Sequence, residues 1–200
     1  MENTKMTRVA KNLDVLANVG GKVSFAAGIA CLVIAVLALI FGDKMFTSGA
    51  LTLDLDFVKF HLSDQAATDA RFLKLYVCVS TFGGSVLCFL AACIAKLMRK
   101  IIQPMTIGRP FEKGTPESMR EVGWAILLGG FLNEVIGVLA RALLIKAYSL
   151  TDLFSCAAIK KTEFVFTMNL NFVFLACVIF LLSYIFTYGQ VLQKDADETL

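Results

Sequence analysis

Charge is scarce in this chain, and so are the residues on which most enzyme chemistry depends. Only 18% of its 200 residues are Asp, Glu, Lys or Arg, and it holds one histidine, one tryptophan and three prolines. A soluble domain is usually about half apolar and about a quarter charged. Here 58% of residues are hydrophobic and the mean hydropathy is +0.74. His61 has no second His or Cys near it, so it reads as a surface residue rather than a ligand. Six cysteines include no C-x-x-C: Cys31, Cys78, Cys88, Cys93 and Cys177 lie in apolar runs and Cys156 stands alone outside them. That usage argues against a disulfide framework or a zinc site. Nucleophile–base pairs, phosphate loops and paired catalytic acids are missing too. The expectation is therefore no catalytic residues, no metal, no cofactor and no enzyme activity.

What the chain has in abundance is uncharged length. Val23–Phe41 and Leu75–Ala95 contain no charge, and 164–193 contains none, with its oiliest part at Phe172–Phe186. Val122–Ile145 is interrupted only by Glu134 and Arg141. Crossing the hydrocarbon layer takes roughly 20 apolar residues in a helix, and in lipid the backbone must satisfy its own hydrogen bonds. The predicted fold is an all-α membrane protein with four transmembrane helices, at about 23–41, 75–97, 122–144 and 170–190, in a single integral domain. The first run is preceded by 22 residues and followed by no clear small-x-small site before Gly42-Asp43-Lys44, so it reads as a retained span rather than a signal peptide.

Basic residues give the orientation. Eleven lie on the side of the N-terminus, the middle loop and the C-terminus, six of them within Lys96–Arg120, against seven on the other side. That bias places both termini in the cytoplasm. The same topological use of the cations accounts for the net charge of +3, so direct nucleic-acid binding is not expected.

Outside the spans, two regions have period. Val9, Leu13, Leu16 and Val19 recur at helical spacing, which fits either an amphipathic helix lying on the inner membrane surface or a cytoplasmic extension of span one. In the first outer loop Leu51, Leu53, Leu55 and Phe57 alternate with Thr52, Asp54 and Asp56, the pattern of a half-buried strand. Phe164, Phe166 and Met168 alternate similarly in the second. The two segments are expected to pair as a small extracytoplasmic cap.

Between spans two and three runs IGRPFEKGTPESMREVGW, residues 107–124. Pro104 and Pro110 predict that the second helix ends by about Gln103. Thr115-Pro116-Glu117 reads as a helix start, with a hydroxyl N-cap, proline at the first helical position and an acid at the positive end of the dipole. Trp124 suits the headgroup boundary. The segment is thus a turn leading back into the membrane.

The G-x-P-F turn at Gly108, Pro110 and Phe111, the Gly-Trp at Gly123 and Trp124, and the final-span ending at Phe186, Tyr188, Gly189, Leu192 and Gln193 together resemble a bacterial membrane family catalogued as domain of unknown function 2975. The layout agrees over the whole chain, while the specific residues cover only these two stretches. The resemblance implies four spans in the bacterial cytoplasmic membrane and a regulatory pairing, since such proteins are often encoded beside a small helix-turn-helix regulator. It implies no catalytic residues. The acidic first outer loop departs from the pattern.

Within the spans, Glu134 is the most unusual residue, twelve residues into span three beside Asn133. An intramembrane acid is a functional-site hypothesis by default. Arg141 lies two turns later, with its Cα roughly 10 Å away, so either the two pair or Arg141 reaches to the outer headgroups and Glu134 finds a partner on another helix. Gly129, Gly130 and Gly137 predict a close neighbour, with Gly83-Gly84 facing them. The leading functional expectation is a non-catalytic interaction partner in the bilayer. Its cytoplasmic docking residues would be Gly108, Arg109, Pro110, Phe111, Trp124, Tyr188 and Gly189, facing a small regulator protein. The alternative is a homo-oligomeric transporter or channel subunit using Glu134.

Overall fold

The structure, a computed structural model, describes residues 2–45, 52–55, 58–61, 70–106, 114–147 and 168–198. Four long helices account for most of them: α1 at Glu2–Met45, α2 at Ala70–Thr106, α3 at Thr115–Ala147 and α4 at Asn171–Glu198. Each is long and apolar enough to cross a membrane. At 1.5 Å per residue, the 44 residues of α1 extend about 66 Å, roughly twice the hydrocarbon thickness. Only 11–17% of the most apolar window in each helix is buried against protein. Most of their apolar surface therefore needs lipid, or another chain, to cover it.

By their internal contacts the residues form two compact units. One contains Met1–Ile29, Ser85–Asn133 and Asn169–Leu200; the other contains Ala30–Gly84 and Glu134–Met168.

In the first unit, α1 and α2 run antiparallel, and small residues set their spacing. A Cβ on Gly21 would lie 3.2 Å from Ala95 Cβ, and one on Gly28 would lie 3.0 Å from the Phe89 ring. Phe25 meets Phe89 edge-on, with ring centroids 5.5 Å apart. Toward the N-terminus of α1, Arg99 Nε donates to Asp14 Oδ1 at 2.9 Å and Arg99 Nη1 to Asn18 Oδ1 at 3.0 Å. The N-terminal residues of α1 thus continue the span as one helix and are held by α2. No break separates them from the span, so of the two readings of residues 1–22 the continuous helix matches the extension.

α3 and α4 pack more tightly still. A Cβ on Gly123 would fall 2.6 Å from the Phe180 ring, and one on Gly130 only 2.1 Å from Phe172 Cγ. Ser183, 3% exposed, donates its hydroxyl to the Pro116 carbonyl at 2.7 Å. Removing that donor leaves the carbonyl with less than its full complement. Ser183→Ala is expected to lower stability by about 1 kcal/mol, read as a drop in the detergent unfolding midpoint, while Ser85→Ala serves as a second buried-serine control.

Local expectations hold unevenly at the helix ends. α2 does not stop at Gln103 but runs through Pro104 to Thr106. A proline there removes only the bond to the Lys100 carbonyl, and Lys100 is exposed, so water can replace the lost donor in this last turn. At the start of α3, Ser118 N–H bonds to the Gly114 carbonyl at 3.0 Å. Gly114, with φ +101°, is therefore the capping residue. Thr115 is inside the helix, 2% exposed, and its Oγ1 has no hydrogen-bond partner. The hydroxyl-cap expectation fails because the left-handed glycine already turns the chain, which moves Pro116 to the second helical position. Glu117 stays in the first turn, as expected.

In the second unit Gly83 accepts the side chain of Ile136, whose Cγ2 lies 2.6 Å from the glycine's would-be Cβ. The Lys146 ammonium stands 5.8 Å from the centre of the Phe72 ring. The cap expected from pairing the two outer segments is not supported. Thr52–Leu55 (β1) bridges back onto Val58–His61 (β2), antiparallel, with Asp54 opposite Lys59. The first outer segment pairs within itself, as a sequence-local partner is reached at far lower closure entropy than a distant one. Of the second segment, 161–167 lies outside the described residues, and Met168, Asn169 and Leu170 are irregular.

Candidate functional site

The expected docking residues separate into two groups. Gly108, Arg109, Pro110 and Phe111 lie outside the described residues. Trp124, Tyr188 and Gly189 are placed by α3 and α4. Trp124 is 62% exposed and meets Phe180 edge-on, 5.5 Å between centroids. The Gly-Trp pair now has a packing explanation: Gly123 leaves the notch into which the Phe180 ring fits, and Trp124 covers that ring's edge.

Beside this contact the two helices leave an open cleft of about 540 Å³, lined by Arg120, Trp124, Phe180, Ser183, Tyr184 and Thr187. Tyr184, not Tyr188, is the tyrosine that joins Trp124 there. Tyr188 follows one turn later on the same face of α4, exposed, with Gly189 half-exposed behind it. Arg120 and Tyr184 were not anticipated as a site. Their signal was present as spacing, since Arg120 is four residues before Trp124 and Tyr184 four before Tyr188. The cleft offers a guanidinium, a phenol and an indole around an apolar floor, which suits an amphiphilic helix or an acidic side chain rather than a reaction.

A second surface lies on the N-terminal part of α1. Val9, Leu13 and Leu16 share one face, spaced four and three residues apart, and are 58%, 46% and 69% exposed. The packed face is instead formed by Ala10, Asp14, Ala17 and Gly21. A stripe of this kind, on a segment that carries Arg8, Lys11, Asn12 and Asp14, is not covered by the protein's own helices.

Among the intramembrane polar residues, Glu134 is 8% exposed and has neither a hydrogen bond nor an ion pair among the described residues. Arg141 does not pair with it. The guanidinium lies along its own helix, with Nη2 3.5 Å from where a Cβ on Gly137 would be. Arg141 is exposed, so its charge is directed outward. Asn133 is exposed as well, separated from Glu134 by the 100° step of the helix. The three residues therefore form no common site. Each glycine has its own neighbour: in the second unit Gly83 takes Ile136 and Gly84 has nothing within 4 Å, and in the first Gly129 takes Leu90 and Gly130 takes Phe172.

No protein-family profile, no curated protein and no solved structure matches this chain. The likeness to the four-span bacterial family therefore rests on the motif residues alone.

Proposed function

We propose that the chain is a non-catalytic, multi-pass protein of the bacterial cytoplasmic membrane, with both termini in the cytoplasm, that binds a small regulator protein of the helix-turn-helix class. The observation that carries this reading is the exposed stripe Val9, Leu13 and Leu16. It lies N-terminal to the uncharged run Val23–Phe41, on the same continuous helix. Uncovered apolar stripes on rigid helices are partner-binding features. Trp124, Tyr184 and Tyr188 on α3 and α4 and the motif residues Arg109 and Phe111 supply the rest of the proposed contact surface.

In-cell crosslinking through the N-terminal helix, followed by identification of the adduct, tests this. A Leu13→Asp/Leu16→Asp variant and a Phe111→Ala variant are each expected to insert normally and to lose most of the adduct, about tenfold or more if each apolar anchor contributes about 1.5 kcal/mol. Undiminished crosslinking in both variants refutes the partner surface.

A second reading is favoured by one observation, the position of Glu134, a residue 8% exposed with no hydrogen bond or ion pair among the described residues. In a homo-oligomeric channel or transporter subunit that group would take its counter-ion or proton from the permeating species. Crosslinks joining only copies of this chain, with proton or cation flux abolished by Glu134→Gln, would support it over the first.

A further inference from the structure

We infer that the cleft between α1 and α2 is a binding site for an anionic phospholipid. Its volume is about 560 Å³, within the range of ligand sites. Its chemistry changes along one short distance. At one end lie Lys22, Lys96 and Arg99; at the other lie Phe25, Phe89 and Ala92. The change occurs where the uncharged runs of the first two spans begin and end, Lys22 being the last charge before Val23–Phe41 and Lys96 the first after Leu75–Ala95. The close approach of Gly21 and Ala95 brings those two boundaries to the same level. A cationic end and an apolar end meeting there match the join between a phospholipid's phosphate and its acyl chains.

The charges are divided in a way that leaves the site net positive. Arg99 is committed to Asp14 and Asn18, so its charge is offset by the neighbouring carboxylate and its fork stiffens the cleft wall. Lys22 and Lys96 make no ion pair or hydrogen bond among the described residues, and both are exposed. Two free ammonium groups beside an already neutralised pair favour a single-charged phosphodiester. A zwitterionic lipid would bring its own cation against them. The apolar end is preformed, because Phe89 is wedged between Gly28 and the Phe25 edge. A soluble phosphate would use only half of this cleft. The phospholipid uses both halves. This site is independent of the regulator-binding surface proposed above, which uses the opposite side of α1.

The test uses the full chain in mild nonionic detergent, supplemented with palmitoyl-oleoyl phosphatidylglycerol or the matching phosphatidylcholine, and counts bound lipids by native mass spectrometry. One phosphatidylglycerol per chain is expected to survive where phosphatidylcholine is lost. Each lysine near an anionic headgroup contributes about a fivefold factor in affinity, so Lys22→Gln/Lys96→Gln should weaken retention by roughly 25-fold. Ala92→Trp, which fills the apolar end and leaves both lysines in place, should abolish it independently. Inorganic phosphate at millimolar concentration should not displace the lipid. Equal retention of the two lipids, unchanged retention in both variants, or displacement by phosphate alone would each overturn the assignment, the last by showing an anion site that ignores the acyl chains. If the double-lysine variant unfolds, Ala92→Trp by itself decides.

Discussion

Glu134→Leu is expected to raise the resistance of the protein to unfolding in nonionic detergent by on the order of 2 kcal/mol. A carboxyl at the middle of a span opposes insertion by about 2.5–3.5 kcal/mol on biological scales, and Glu134 is 8% exposed with no partner among the described residues to offset that cost. Leucine occupies a similar volume and removes the polar group entirely, the kind of exchange that stabilises buried ionisable sites elsewhere. Glu134→Gln keeps an amide that still lacks a partner and should gain much less. The measurement is the midpoint of a detergent or thermal unfolding curve on the purified chain. A loss of stability with leucine would mean that the carboxyl has a partner beyond the described residues, and such a partner in the form of a cation or a second copy would move the functional reading toward the oligomeric transporter. The sign of one substitution thus separates a retained liability from a used site.

The second large effect lies at Gly130. Alanine there places a methyl group 2.1 Å from Phe172 Cγ and 2.5 Å from its Cβ, so the atoms it meets are those next to the backbone of α4. They cannot swing aside as a flexible side-chain end would. Either α3 and α4 separate or the ring leaves its rotamer, and overpacking of this kind costs about 1–3 kcal/mol. Gly130→Ala is therefore expected to lower the unfolding midpoint by the upper part of that range. Gly84→Ala provides the contrast. Nothing lies within 4 Å of its would-be Cβ, and replacing a helical glycine by alanine gains up to about 1 kcal/mol in helix propensity. Two glycines in apolar helices should thus respond with opposite signs. Equal responses would mean that the α3–α4 contact at Gly130 is not formed.

How much of this was legible in the residues depends on the range over which each cause acts. Span positions follow from composition alone, since an uncharged run of about 20 residues has few alternatives in a bilayer, and a long apolar helix lies on each of the four runs, the last from Asn171 onward. The glycine before α3 is a local matter too, yet the sequence pattern points to Thr115, because hydroxyl caps are commoner than a left-handed glycine at that position. One further signal was present and unread. Ala10, Asp14, Ala17, Gly21, Ser24, Gly28, Cys31, Ala35 and Ala38 recur every three or four residues, and all of them are among the less exposed positions of α1. Small residues at that spacing mark the packed face of a membrane helix. The more conspicuous apolar stripe of Val9, Leu13 and Leu16 faces away from the protein.

Sequence by itself determined that this chain has four helices long and apolar enough to cross a membrane, because hydrocarbon length and backbone hydrogen bonding act on each segment separately. It also marked Glu134 as anomalous, since the cost of a charge in lipid needs no neighbour to be known. Tertiary structure decided which residues share a surface. Glu134 and Arg141 lie on one helix two turns apart, yet the arginine turns outward and the acid has no partner among the described residues. Trp124 is joined by Tyr184, 60 positions away, and Lys22 comes level with Lys96 through a glycine that lets two backbones approach. Helix rotation and register are set by the sum of many weak side-chain contacts between distant segments. No local pattern holds that information.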